Sequence, residues 1–444
     1  MKGHGTHTFV FLFGVVFGAR LLSLAAPGDE NWDSNFGVPG ADGAVLAMVV
    51  VGHTLYAGGY FTEIGGVDAY HVAQWDGTNW SPLGLGVDGP VGAIVAGGTD
   101  LYVGGSFSQA GGIPAANIAK WDGTNWSALG AGIDGPVHEL AAIGKRLFAG
   151  GVFSAAGSVS ATNVAMWDGM TWTNLGGGVN GPINGRVTAL TADGTNLYVG
   201  GGFSYAGSIP ATNIAMWNGR EWSPMGRTDT FPPVAIRLKG GELFLYATDH
   251  PWSPTQPTVI LHWNGSSWDH AARLLTGGIP EFTHFSEDML LVGDDFYVCG
   301  LFAVCRNDWV DLGELCTGDL AKWDGTNFSP LGSGIDPGNW VYCLASTGSE
   351  LFVGGSLGSV GGGGIPSSNI ALWHIPHALS ASRSENVLTL SWPATGTNFI
   401  LESSHSLGQA DWAEVPQTPV VIGNKLAVTN EVLSSQKFYR LRRR

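Results

Sequence analysis

The sequence predicts an all-β chain: a seven-bladed β-propeller closed by an N-terminal strand, followed by a small C-terminal β-sandwich. Three observations lead there. A Trp-Asp/Asn-Gly signature begins at Trp75, Trp121, Trp167, Trp217, Trp263 and Trp323, and a degenerate copy ends at Trp373. The spacings of 46, 46, 50, 46, 60 and 50 residues suit four-stranded blades and exceed most helical repeats. Composition agrees, because 69 of 444 residues are Gly and 18 are Trp while only 13% are charged, a mixture that fits short strands and tight turns. With 44% apolar residues the chain can bury enough surface to offset its ordering entropy.

Within the copy at residues 90–130, four strand-like pieces separate by alternation and turn signals. Val91 to Val95 is a short apolar strand, Leu101 to Phe107 is a second carrying a Gly pair, Asn117 to Trp121 is a third, and Trp126 to Leu129 is the fourth. The intervening Asp122-Gly123 tolerates the positive φ that a hairpin turn requires. Trp121 and Trp126 then face each other on adjacent strands, and burying such a pair between blades removes about 150–250 Å² per ring from water. The seventh copy, Trp340 to Trp373, supplies only three strands. Its fourth is expected from the other end of the chain, where Asn31-Trp32 and Gly40 to Val45 echo Asn125-Trp126 and Gly132 to Val137. Closure of this kind removes exposed sheet edges. Blade five breaks the pattern, because Leu245-Tyr246-Ala247-Thr248 has no Gly pair.

The apolar strand ending in Gly-Gly, followed by Asn-Ile-Ala-x-Trp-Asp-Gly and a second Trp five residues on, resembles the kelch repeat. The longer string from Leu101 to Val137 also looks like the propeller repeats of fungal cortical-marker proteins. The resemblance spans residues 30–375 and implies a propeller, residues 28–375, without implying one activity. From Ala378 onward the period vanishes. Val387 to Trp392, Phe399 to Ser404, Trp412 to Val415, Pro419 to Val428 and Phe438 to Leu441 alternate like half-buried strands. Residues 376–444 therefore look like a fibronectin type III-like module. Kelch-type folds include galactose oxidase-like copper enzymes, whose site needs a Tyr cross-linked to Cys, a second Tyr and two His. Every Cys here lies between residues 299 and 343 and is better used in disulfides, which excludes that chemistry.

The first 25 residues read as a secretory signal, with Lys2, an apolar run from Phe9 to Ala19, and Ser23-Leu24-Ala25 as a cleavage site. Cleavage after Ala25 would remove Lys2 and Arg20 and move the formal charge from −16 to −18. The apolar run is about half of what a bilayer span needs, so no membrane insertion is expected after processing. So acidic a chain lacks the basic footprint that nucleic acid requires. A secreted or cell-surface monomer is the expectation. In an exported chain four cysteines suggest disulfides, paired as Cys305–Cys316 across an apparent insertion and Cys299–Cys343 by default. The terminal Arg440, Arg442, Arg443 and Arg444 read as a solvated tail.

No nucleophile motif or phosphate loop appears, and no catalytic residue stands out. His374 and His377 flank Pro376, which prevents a helix from presenting both on one face, so they read as linker residues. The propeller arginines, Arg186 and Arg237 among them, do not recur at equivalent repeat positions. One constellation does recur. Each connection between blades carries an acid or amide, at Asp42, Asp88, Asp134, Asn180, Asp229, Glu281 and Asp336. Before Gly or Pro, such residues favour tight turns on local grounds. If they converged on the channel, their like charges would call for a cation, and Ca²⁺ with roughly six to eight oxygens is the natural one. The function expected is binding of a protein or glycan through the loop face. A glycoside hydrolase or lyase on that face and an envelope component attached through the C-terminal module are the alternatives.

Overall fold

The computed structural model describes residues 28–443 apart from 182–184, 227–231, 249–257, 275–287, 305–316, 377–378, 385–386, 394–398, 405–411, 423–424 and 432–437. Seven antiparallel sheets follow one another along the propeller, six of four strands and a last one of three. In blade 2 the strands are Val91–Gly97, Asp100–Gly105, Ile118–Trp121 and Trp126–Ala128, in that spatial order. The first strands of the seven blades, Val45–Val51, Val91–Gly97, Val137–Ile143, Val187–Asp193, Ala235–Lys239, Asp288–Val292 and Trp340–Ser346, pack side by side, and the last returns to the first. The ring of a β-propeller is therefore complete, and its axis runs between these strands.

The Gly pair is a packing requirement. A Cβ on Gly104 would come within 2.5 Å of Val137 Cγ1 on the next blade, and one on Gly105 would strike the carbonyl of Pro90. Blade 5, which lacks the pair, places the fully buried Tyr246 where blade 2 has Gly104 and still forms four paired strands.

The Trp pairs bind blade to blade. Trp121 and Trp126 lie 5.2 Å apart at 49°, and the pairs in blades 1, 3, 4 and 5 repeat this geometry. The second indole of the pair donates its N–H to the preceding blade: Trp126 to Leu83 O at 2.7 Å, Trp172 to Leu129 O, Trp222 to Leu175 O and Trp268 to Met225 O. A buried polar tip on a large apolar ring is thereby satisfied.

The N-terminal segment completes blade 7, more sparingly than a full strand. Trp32 bridges Trp373 in antiparallel register, and Asp33 N donates to Leu372 O. The two indoles meet edge to face at 5.0 Å. The chain then continues to Ala41, whose carbonyl accepts from Asn369 Nδ2 and which bridges Ile64 of blade 1. His374 is no linker residue: it ends the strand Ile370–His374 and its Nε2 lies 3.2 Å from Asp33 Oδ2.

Two further sequence expectations are overturned. Cys299 and Cys343 are thiols, not a disulfide. Cys299 packs in the core between blades 6 and 7, whereas Cys343 packs between blades 7 and 1. The blade-7 sheet stands between them because the bulge after Val341 sets the side of the sheet on which Cys343 emerges. Cys305 and Cys316 lie outside the described residues, as do residues 1–27, Asp229, Glu281 and His377. Nor are Arg440 and Arg442 a solvated tail. They belong to the strand Phe438–Arg443, and both ion-pair with the buried Glu402 while Arg440 covers Trp412. This C-terminal sandwich has sheets of four and three strands around Leu390, Trp392, Leu401, Val415 and Val428.

Candidate functional site

The connections between blades and those between second and third strands share one end of the ring, the loop face. In blades 1, 2, 3, 4 and 7 the second connection folds into a miniature hairpin, such as Gln109–Ala110 with Ile113–Pro114, that pairs with the incoming interblade segment. The recurrent acids act here. Asp88 Oδ1 accepts from the amides of Ser108 and Gln109, and its Oδ2 accepts from Ser108 Oγ at 2.6 Å. Asp42 holds Thr62 and Glu63 in the same way, and Asp134 holds Ser154 and Ala155. Desolvation opposes ionisation of these carboxyls, and the three donors outweigh it, so each sits below the usual carboxylate range.

The described members of the series, Asp42, Asp88, Asp134, Asn180 and Asp336, do not converge as a cation-binding ring would require. Each of the first three spends both oxygens inside its own blade, and no group of three His, Cys, Asp or Glu gathers among the described residues. Asn180 is paired in a short strand with Tyr205. Asp336 is buried and its Oδ2 has no hydrogen-bond partner, because Gly358 stands where blade 2 has Ser108 and the Gly358 amide goes to Asn339 instead. At Asp42, Asp88 and Asp134 the carboxylate holds the hairpin 20 residues further on and not its own turn, and the Ca²⁺ expectation built on convergence loses its basis at these three positions.

Two features that the repeat pattern did not flag stand out on this face. The first is apolar and lies at blades 1 and 2. Leu85 is 73% exposed, Tyr60 59% and Tyr70 54%, with Val38 and Ile113 also exposed. At the positions of Tyr60, Tyr70 and Leu85, the next two blades carry Ser106, Ala116 and Ala131, then Val152, Thr162 and Gly177. Leu85 Cδ1 lies 3.8 Å from where a Cβ on Gly112 of the blade-2 hairpin would stand, and Pro39 Cγ 3.6 Å from where one on Gly66 of the blade-1 hairpin would stand. The patch reaches the channel mouth, where burial and then Tyr60 push the Tyr342 phenol up.

The second feature is polar and lies just inside the channel. Register places Ala47, Ala93, Glu139, Ala189, Ala235, Asp288 and Cys343 at equivalent points of the seven first strands. Asp288 Oδ1 accepts from Arg237 Nη2 at 2.5 Å and from Met289 N, and its Oδ2 accepts from Leu344 N at 3.0 Å, which links blades 5, 6 and 7. Glu139 is pushed up to about 8 by burial, with Asp288 adding to the shift and Arg237 opposing it. Its neighbour His138 bulges from the same strand and is lowered to about 4 by burial and then by Arg186. The cluster has no signature in the sequence, since its members come from blades with unlike first strands.

A family described as the Rax2 C-terminal beta propeller domain matches residues 69–236, from the third strand of blade 1 into the first strand of blade 5. No curated protein matches the chain. Solved structures with a similar course include YCF48 from Cyanidioschyzon merolae, 12% identical, covering 76% of this chain and 96% of that one at a TM-score of 0.44. Saccharomyces cerevisiae Sqt1 is 10% identical, with 81% and 94% covered at a TM-score of 0.43. The Neurospora crassa Pan2 WD40 domain is 12% identical, with 68% and 85% covered at 0.38. The chain is a β-propeller by its own closed ring of sheets, and over residues 69–236 it is similar to the Rax2 propeller.

Proposed function

We propose that this chain is an exported, non-catalytic binding or scaffold propeller that recognises a protein or glycan through its loop face. The observation that carries this is the exposed cluster Tyr60, Tyr70 and Leu85, set where neighbouring blades carry smaller residues. Fold maintenance does not require them there, since other blades close without them. Tyr offers a large face and a polar tip at small entropic cost, which suits a protein hot spot or a sugar ring. The kelch-like character of the repeats, the fibronectin type III-like character of the module, cleavage after Ala25 and a secreted or cell-surface location belong to the same reading.

A hydrolase or lyase would need two carboxyls in register on this face. Glu139 and Asp288 are in register, but Asp288 is engaged by Arg237 and two backbone amides, which leaves it poorly placed to act as nucleophile or base. An envelope role through residues 376–444 predicts that this module alone binds cell-wall material.

The test compares wild type with the triple variant Y60A/Y70A/L85S on a glycan array and in surface pull-downs. M170A is the control, because Met170 is exposed on the turn between third and fourth strands at the opposite end of the ring. Loss of binding in the triple variant, with an unchanged melting temperature and M170A unaffected, supports the reading. Undiminished binding by the triple variant overturns it.

A further inference from the structure

At the level of Ala47, Ala93, Ala189 and Ala235, Glu139 of blade 3 and Asp288 of blade 6 stand in the same register, and Arg237 of blade 5 lies within electrostatic reach of Glu139 and bonds Asp288. Water reaches them: the Arg237 side chain is 30% exposed and that of Asp288 16%. We propose that this level of the channel is a carboxylate-binding site, in which Arg237 and the carboxyl of Glu139 hold the ligand's carboxylate while Asp288 fixes Arg237 in place.

Arg237 carries five N–H donors in a planar fork. Nη1 donates to Ile236 O at 3.0 Å and Nη2 to Asp288 Oδ1. The remaining donors have no acceptor among the described residues, and a carboxylate matches the fork bidentately. The Glu139 side chain has no hydrogen bond among the described residues either, although Arg237 and Asp288 lie within electrostatic reach. Burial keeps its proton on at neutral pH, so it offers an O–H donor and not a competing charge. A second carboxylate beside a protonated carboxyl can share that proton, as paired carboxyls do.

A cationic ligand finds little here. The oxygens of Asp288 are occupied by Arg237, Met289 and Leu344. His138 stays neutral above about pH 4 under burial and the nearby Arg186, and burial together with Asp288 keeps the Cys343 thiol protonated. Arg186 itself adds positive charge near the mouth. A singly charged, planar anion therefore suits the site better than a metal ion. This site is separate from the exposed Tyr60, Tyr70 and Leu85, so each can fail alone.

The experiment titrates the full chain with D-glucuronate and with N-acetylglycine, using glucose and inorganic phosphate as controls, by calorimetry at about pH 6.5 and pH 9. A carboxylate should saturate the protein where glucose does not. Its affinity should fall by about tenfold or more at the higher pH, as Glu139 ionises and repels it. In E139Q, which keeps a donor and cannot ionise, that fall should shrink to about threefold or less, and in R237M binding should be lost. Saturation by glucuronate alone assigns an acidic sugar, and by N-acetylglycine alone a peptide-type carboxylate. The proposal is overturned if neither saturates, if phosphate binds as tightly as the carboxylates, or if E139Q keeps the wild-type pH dependence.

Discussion

Trp126 and Trp80 occupy the same place in successive blades, yet their indole N–H groups meet different fates. Trp126 donates to Leu83 O across the blade boundary at 2.7 Å. Trp80 faces the closing segment, where no acceptor meets its Nε1. Both rings are buried and both pair with a second indole, so the hydrogen bond is the main difference. Replacing each Trp with Phe trims a similar apolar area, but W126F also loses the interblade hydrogen bond, while the Leu83 carbonyl keeps the one it accepts from Gly86 N. One net hydrogen bond contributes about 0.5–1.5 kcal/mol. W126F should therefore destabilise the propeller by about 1 kcal/mol more than W80F in denaturant titrations. Equal losses would show that the interblade bond contributes nothing net.

At the scale of elements, the closing segment joins the third strand of blade 7 by one antiparallel bridge, at Trp32, and not by a paired strand. Trp32 is buried, meets Trp373 edge to face, and sits in the core shared by blades 6 and 7. Asp29 reaches across to Ser333, accepting from its hydroxyl at 2.7 Å and from its amide. Deleting Asn31 to Val38 removes the Trp32 ring and leaves the third strand of blade 7 as an open edge. Loss of one buried Trp alone costs about 3–5 kcal/mol, and an open edge invites pairing with other chains. The deletion should lower the melting temperature by many degrees and promote association on sizing columns. A protein that stays monomeric and melts within a degree or two of wild type would refute the closure. This closure was legible in the sequence because Asn31-Trp32 repeats Asn125-Trp126, and turn chemistry was legible because Asp122-Gly123 and its equivalents admit few conformations. The channel cluster was not. Glu139, Arg237 and Asp288 share no local motif, and only strand pairing shows that Glu139 and Asp288 stand at one level. The Cys299–Cys343 pairing failed for a related reason: a one-residue bulge decides which side of a sheet a side chain takes, and no residue type announces it. The recurrent acids were legible as a series, but their direction depended on hairpins that the repeat pattern did not reveal.

For the whole molecule, the ring and the C-terminal sandwich have separate cores. Leu390, Trp392, Leu401, Val415 and Val428 form one core cluster that, among the described residues, includes none from the propeller, whereas each blade core runs into its neighbours around the ring. Cooperativity follows shared burial, so calorimetry should resolve two transitions, and their pH dependences should differ in sign. Glu139 holds its proton more tightly when folded, with its value pushed up from about 4.5 to about 8. Its contribution is therefore fully present below about pH 4.5 and is lost as pH rises toward 8. His138 runs the other way, because its folded value is lowered to about 4, so its contribution is present above about pH 6.5 and lost as pH falls toward 4. The two oppose each other between about pH 4.5 and 6.5, and above that range Glu139 acts alone. In the sandwich, bonds from Arg442 and Arg440, partly opposed by desolvation, hold the Glu402 carboxyl below its usual range. That contribution is present above about pH 4.5 and is lost only as acid protonates Glu402. From pH 6.5 to 8 the propeller transition should thus fall, by about 1–2 kcal/mol, while the sandwich transition stays level. Below pH 4.5 the sandwich should weaken in its turn. E139Q should flatten the first slope and leave the second, and a propeller transition as steep in E139Q as in wild type would place the titrating group elsewhere.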